Sequence, residues 1–282
     1  MVADILLLIL TIIALIFATV VDIKIKEVPN WLSYNLIISA LAIRLISAIT
    51  NQDFNYFTIS LIALVIIYAI GSILYHFQIW GGGDSKLLIG LVTVFATPPY
   101  FINSKYPFLI ILILSILIVG AIYGLLYALG LAIKNKKEFL KQYKKIIQNK
   151  KIRIIKISLL ALSIVLMILA IIIQGALIKL IIGGIIIILI SYTYIWIFAK
   201  SVENSCMYVH LPINKLVEGD WVVEDIKQNN KIIYQKKKTG IEKIDIENLK
   251  KHKIKTVLVK QGFPFVPSFL IGTILALIVS SI

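Results

Sequence analysis

Long apolar runs alternate with short polar or basic segments along the whole chain. A membrane-spanning helix needs about 20 apolar residues, and the 43-residue apolar stretch 157–199 is therefore divided at Gln174-Gly175. The pattern predicts an all-α polytopic membrane protein with about six to eight transmembrane helices. The candidate spans lie at about 3–21, 31–49, 57–77, 85–97, 108–133, 157–174, 177–199 and 264–281.

Two segments depart from the apolar pattern. The lysine-rich segment 134–156 predicts an interfacial helix with a basic face. Segment 200–262 predicts a small cytoplasmic α+β module, with strands at 221–223, 232–234 and 255–259 and a helix within 241–253. Asn229-Asn230 is interpreted as the turn between the first two strands. The predicted organisation is a transmembrane core of five spans at 1–133, a basic loop at 134–156, two spans at 157–199, the module at 200–262 and a last span at 263–282.

The charge distribution predicts the orientation in the membrane. The net charge is +15, yet ten of the 29 Lys and Arg residues lie in 134–156 and thirteen in 200–260. Basic loops beside spans are typical of the cytoplasmic side and of contact with anionic lipid, so no nucleic-acid partner is expected. The loops 50–56, 98–107 and 174–176 contain one basic residue, Lys105. We therefore expect a multi-pass cell-membrane protein whose N-terminus lies outside.

Few acidic residues lie among the predicted spans. Asp4 and Asp53 are expected to be solvated, and Glu27 is interpreted as a loop acid. Asp22 ends the first span and Asp84 begins the fourth, and the predicted topology puts both at the cytoplasmic face. Two neighbouring carboxyl groups can share a proton, so that one activates water while the other polarises a carbonyl group. This chemistry requires no metal or other cofactor, and Cys206 and three scattered histidines form no ligand pattern.

The polar segment WGGGDSK, residues 80–86, contains the second of these acids. Gly81, Gly82 and Gly83 lack side chains, so another backbone can approach closely, and we expect it to be an extended substrate. Structural interpretations remain open for each residue of the pair. Asp84 is also suited to capping the start of the fourth span. Asp22 is also suited to ending the first span as a polar flanking residue. Arg44, inside the second span, is expected to snorkel or to pair.

Three segments resemble a known family. Gly81-Gly82-Gly83-Asp84 matches the GxGD motif of membrane aspartyl proteases, and Lys86 extends it to the GxGDxK form of type IV prepilin peptidases. Segment 22–30, DIKIKEVPN, resembles the first-aspartate segment of that family, in which a basic residue and then Pro-Asn follow the acid. Segment 262–272, GFPFVPSFLIG, is similar to the last span of the archaeal preflagellin (prearchaellin) and prepilin peptidases. The resemblance covers the first four spans well and the C-terminal third more loosely.

The resemblance implies a membrane aspartic endopeptidase that removes short basic leader peptides from archaellin or type IV pilin-like precursors at the cytoplasmic face. It implies that Asp22 and Asp84 are catalytic and that other residues of the two motifs support them, namely Lys24, Gly81, Gly82, Gly83 and Lys86. The single cysteine departs from bacterial members that carry paired CxxC motifs. Two alternatives remain open. One is a transporter or assembly protein whose acids bind a cation, and the other is a GxGD protease that cuts within spans.

Overall fold

A computed structural model describes residues 2–77, 80–228, 231–237 and 240–281 of the chain. The helices in this part are α1 Val2–Ile25, α2 Asn30–Asn51, α3 Asn55–His76, α4 Gly82–Val94, α5 Phe108–Lys134, α6 Lys136–Gln148, α7 Lys150–Ile172, α8 Ala176–Val202, α9 Lys243–Lys251 and α10 Val266–Ser281. The strands are β1 Tyr208–Pro212, β2 Trp221–Val222, β3 Ile226–Gln228, β4 Lys231–Tyr234 and β5 Thr256–Lys260.

The predicted fold class is confirmed. Within the described residues, six helical segments are long and apolar enough to cross a membrane: α1, α2, α3, α5, α7 and the segment Ala176–Met207 that begins with α8. Two further apolar helices are shorter, α4 with 13 residues and α10 with 16. Many of their large apolar side chains are exposed, for example Ile171 at 74% and Leu180 at 76%. Exposed apolar side chains suit contact with lipid. A helix can lie in lipid because it satisfies its own backbone hydrogen bonds.

The chain divides into two compact units, and the first contains residues 1–126, 213–255 and 262–282. Helix α4 lies inside this unit, packed on α2 and α3. Every residue from Leu87 to Val94 is buried, and a helix that is apolar on all its faces belongs in the interior of a bundle. Helix α1 packs against α2 and α10, and α10 approaches α5 closely at Gly272, where a Cβ atom would lie 2.7 Å from the Ile116 Cα. The buried α4 carries Asp84 in its first turn.

The first unit also contains part of the α+β segment. Strands β3 and β4 form an antiparallel hairpin in which Ile226 is opposite Tyr234, and α9 packs on β4. The predicted helix and the strand at 232–234 are confirmed. Residues 221–222 of the predicted strand 221–223 form β2, and the strand that pairs with β4 is β3, which was not predicted. The predicted turn at 229–230 lies outside the described residues.

The second unit contains residues 127–212 and 256–261. Helices α6 and α7 both pack on α8, and β1 pairs with β5 in antiparallel register. Residues 136–148 of the predicted basic helix form α6, which buries Ile146 and exposes its lysines, whereas residues 150–156 belong to α7. The last four residues of the predicted strand 255–259 fall in β5, whereas β1 was not predicted. Its sequence YVHLP is short, polar at its centre and ends in proline, so it gives little strand signal.

Candidate active site

Asp22 lies in the last turn of α1. The helix ends just beyond it, where the Lys26 N–H donates to the Asp22 carbonyl oxygen at 2.7 Å and Lys26 takes a left-handed conformation with φ of 58°. The Asp22 side chain is 4% exposed. Its Oδ2 accepts a hydrogen bond of 2.9 Å from the backbone N–H of Val266, the first residue of α10. This bond satisfies one oxygen of a buried carboxyl group, which is costly to bury without a partner.

Asp84 lies in the first turn of α4, three residues after the N-cap residue Gly81. Gly81 has an extended backbone, with φ of −66° and ψ of 157°, and its carbonyl oxygen accepts from the Ser85 N–H at 3.0 Å. The Asp84 carboxyl group reaches back to the backbone of Gly81. An acid at this position of a helix commonly accepts the N–H of the N-cap residue. Asp84 therefore stabilises the start of α4 from inside the helix, and the interpretation of Asp84 as the N-cap itself is wrong.

The two acids lie in the same region of the first unit. Helix α1 contacts α4, and the carboxyl groups of Asp22 and Asp84 are close enough for their charges to interact. Asp22 is buried and Asp84 is half-buried. The fold thus brings together two acids that are 62 positions apart in the sequence.

Each glycine of the motif is packed against this chain. A Cβ atom on Gly83 would lie 3.0 Å from the Val28 Cβ, and one on Gly82 would lie 3.3 Å from the Tyr75 ring. A Cβ on Gly81 would lie 3.1 Å from the Asp84 Oδ2. Close packing of the 80–84 turn against its own neighbours therefore accounts for the glycines. The expectation that they leave room for a substrate backbone gains no support from these contacts.

The lysines of the two motifs differ in their surroundings. The Lys86 Nζ donates to the Asn30 Oδ1 at 2.7 Å and lies 5.8 Å from the centre of the Tyr34 ring. Since Asn30 begins α2, this bond joins the start of α4 to the segment that follows Asp22. Lys24 lies in the last turn of α1 with an exposed side chain. Lys86 thus has a visible supporting contact within the site.

An aromatic cluster lies beside the acids and was not predicted. The Trp80 ring centroid is 6.0 Å from that of Phe265 and 5.7 Å from that of Phe269, and Phe265 also contacts Phe263. Sequence reasoning did mark 262–272 as a segment similar to the family, but it assigned no role to these rings or to the Val266 amide. The partners lie far apart in the chain, so no local pattern could pair them.

The prediction that Arg44 pairs is confirmed. Two of its partners lie at the C-terminal end of α4, whereas Asp84 lies in the first turn of that helix. The fully buried Arg44 guanidinium donates to the Val94 carbonyl oxygen and, at 2.9 Å, to the Thr97 Oγ1. It also lies 4.2 Å from the centre of the Tyr56 ring, and the Tyr56 hydroxyl donates to Asp4. The expectation that Asp4 is simply solvated is wrong, because it joins this network. Asp53 is exposed as expected.

Comparison with known proteins places the site within a family. Residues 9–128, which include both acids, match the model of the type IV leader peptidase family. Over these residues the chain is similar to the type IV leader peptidase family. The match supports a leader peptidase function in general and, together with the apolar helices, a multi-pass membrane protein; the family implies pilin-like precursors as substrates in general. No curated protein and no solved structure gives a significant match to the chain.

Part of the peptidase lies outside the matched range. Helices α6 to α10 and all five strands follow residue 128, and so does the Val266 amide that contacts Asp22. Within the described residues, no group of three or more His, Cys, Asp or Glu side chains is arranged to hold a metal ion.

Proposed function

We propose that the chain is an aspartic endopeptidase that uses Asp22 and Asp84 to remove short basic leader peptides from archaellin or type IV pilin-like precursors. One observation carries this proposal. Among the described residues of the matched motifs, Asp22 of α1 and Asp84 of α4 lie close enough for their carboxyl groups to interact. The family match supports peptide hydrolysis in general.

The chemistry follows from two acids that share one proton. The ionised carboxylate accepts a proton from water as the water oxygen attacks the carbonyl carbon of the scissile peptide bond. The protonated carboxyl group donates a hydrogen bond and then its proton to the carbonyl oxygen. When the tetrahedral intermediate collapses, the C–N bond breaks, the leaving nitrogen receives the proton that the first acid took from water, and a hydroxyl group of the intermediate returns a proton to the second acid. The two acids then share one proton again.

The basic segments support an active site at the cytoplasmic face. Both acids lie at helix ends next to polar loops, and the lysine-rich α6 suits contact with anionic lipid. A substrate whose apolar helix lies in the bilayer then has its leader at the depth of the acids. Cysteines introduced at Lys24 and Lys86 should both react with an impermeant maleimide from the cytoplasmic side only. Reaction from opposite sides would contradict this orientation.

The decisive experiment replaces each acid by its amide. Purified protein is incubated with a precursor that carries a basic leader, and cleavage is followed by electrophoresis and mass spectrometry. Asp22→Asn and Asp84→Asn should each abolish cleavage, and the double variant should be no worse, because the two residues act as a unit. Asp53→Asn changes an exposed loop acid and should cleave normally.

Two outcomes would contradict the proposal. Substantial turnover by either single variant, with normal membrane insertion, would rule out the acid pair. Loss of activity on alkylation of Cys206 or on addition of a chelator would indicate different chemistry.

A further inference from the structure

The N-terminal end of α10 contacts both of the segments that carry the acids. The Val266 N–H donates to the Asp22 Oδ2 at 2.9 Å. One residue earlier, Phe265 packs against Trp80, which directly precedes the Gly81–Asp84 turn. We call residues 263–267 the entry segment of α10. It lies 244 positions from Asp22 and outside the family match.

We propose that the entry segment is a positioning element of the reaction, in which the Val266 amide orients the Asp22 carboxyl group and Phe265 holds the turn before Asp84. This inference rests on the proposed roles of Asp22 and Asp84. Val266 and Phe265 are positioning residues, since they act through the acids and the adjoining turn.

The hydrogen bond from Val266 restricts the orientation of the Asp22 carboxyl group. A carboxyl group on a helix can rotate about its side-chain bonds, and a bond to one oxygen from a rigid backbone fixes that rotation. The donor is well fixed, because Val266 is 0% exposed and begins a helix that packs on α1. The backbone of Phe265 also contributes a hydrogen bond to the Asp22 carboxyl group, so two successive residues of the entry segment orient it.

The Phe265 ring is confined on several sides. Its centroid lies 6.0 Å from that of Trp80, 6.0 Å from that of Phe263 and 5.7 Å from that of Phe269. Gly120 of α5 closes the remaining side, since a Cβ atom there would lie 2.5 Å from the Phe265 Cζ. A displaced Phe265 ring therefore displaces Trp80 or the backbone of the entry segment.

Proline at position 266 tests the amide directly. Proline is well tolerated at the first position of a helix and removes the N–H together with the valine side chain. A hydrogen bond to a charged group is strong enough that Val266→Pro should lower kcat by about 10- to 100-fold with little change in KM. Val266→Ala keeps the N–H and loses the side chain, so its kcat should stay close to that of the unchanged protein. A normal kcat for Val266→Pro, or an equal loss in both variants, would overturn the role of the amide.

A second pair of variants decides the matter if Val266→Pro does not fold. Gly120→Ala should push the Phe265 ring and lower kcat several-fold without a matching rise in KM. Gly130→Ala, in the same helix, is the control, because no atom lies within 4 Å of a Cβ at that position. Equal kcat values for the two alanine variants would overturn the role of Phe265. Activity of Asp22→Asn would instead refute the acid pair, so the two failures are distinguishable.

Discussion

Replacing Arg44 by methionine should strongly destabilise the first unit. The guanidinium is 0% exposed and donates to the Val94 carbonyl oxygen, the Thr97 hydroxyl and the Tyr56 carbonyl oxygen. Each buried polar group left without its partner costs about 1–3 kcal/mol, and the lost contact with the Tyr56 ring adds about 1 kcal/mol. The Arg44 Nε has no hydrogen-bond partner, and removing the buried charge of the guanidinium offsets part of this cost. We expect a net loss of about 3 kcal/mol in the free energy of unfolding.

Reversible unfolding in mixed micelles with a rising fraction of dodecyl sulfate measures this quantity. Arg44→Lys should recover only part of the loss, because an ammonium group cannot replace the planar fork of donors. Ile46→Met, on the same helix at 62% exposure, is the matched control and should change the free energy of unfolding little. A value for Arg44→Met within about 0.5 kcal/mol of the unchanged protein would refute the assigned role of these hydrogen bonds.

Two further predictions concern a loop acid and a glycine of the motif. Burial raises the pKa of Asp220 above its ordinary value of 3.8, so the folded state binds the proton more tightly than the unfolded state does. The ionised side chain therefore lowers the free energy of unfolding as pH rises above 3.8. Asp220→Asn should therefore stabilise the protein more at pH 7 than at pH 4 in the same unfolding assay, and an equal gain at both pH values would contradict this account. Gly83→Val should displace the loop at Val28, only 3.0 Å from the new Cβ, and reduce cleavage sharply. Gly184→Val meets no atom within 4 Å of its Cβ, and equal cleavage by both valine variants would show that the close approach is unimportant.

Hydrophobic length predicted the membrane helices because each satisfies its backbone hydrogen bonds internally. The observed α5, Phe108–Lys134, lies within about a residue of the predicted span, and α10 begins two residues after its predicted start. The predicted break at Gln174-Gly175 is confirmed, because α7 ends at Ile172 and α8 begins at Ala176. Prediction was weaker for segment 200–262, where strands of two to five residues depend on their partners.

The acids could be selected from the sequence because carboxyl groups are scarce among the spans. Asp22 and Asp84 flank predicted spans and match the motifs of a family, and residues 9–128 match that family's model. The same reasoning failed for Asp4, which looks like a solvated terminal acid but accepts from the Tyr56 hydroxyl. A hydrogen bond to a residue 52 positions away leaves no mark on the local pattern.

Tertiary structure alone decided what surrounds each acid. Helix packing brings the Val266 amide to Asp22, Val28 to Gly83 and Arg44 to the end of α4. The apolar pattern specifies which residues enter lipid or the core, but many packings of the same helices bury similar apolar area. The choice among them depends on close contacts at glycines and on a few buried hydrogen bonds. These specific contacts form only once the helices have assembled, so the chain in its linear form predicts the acids but not their partners.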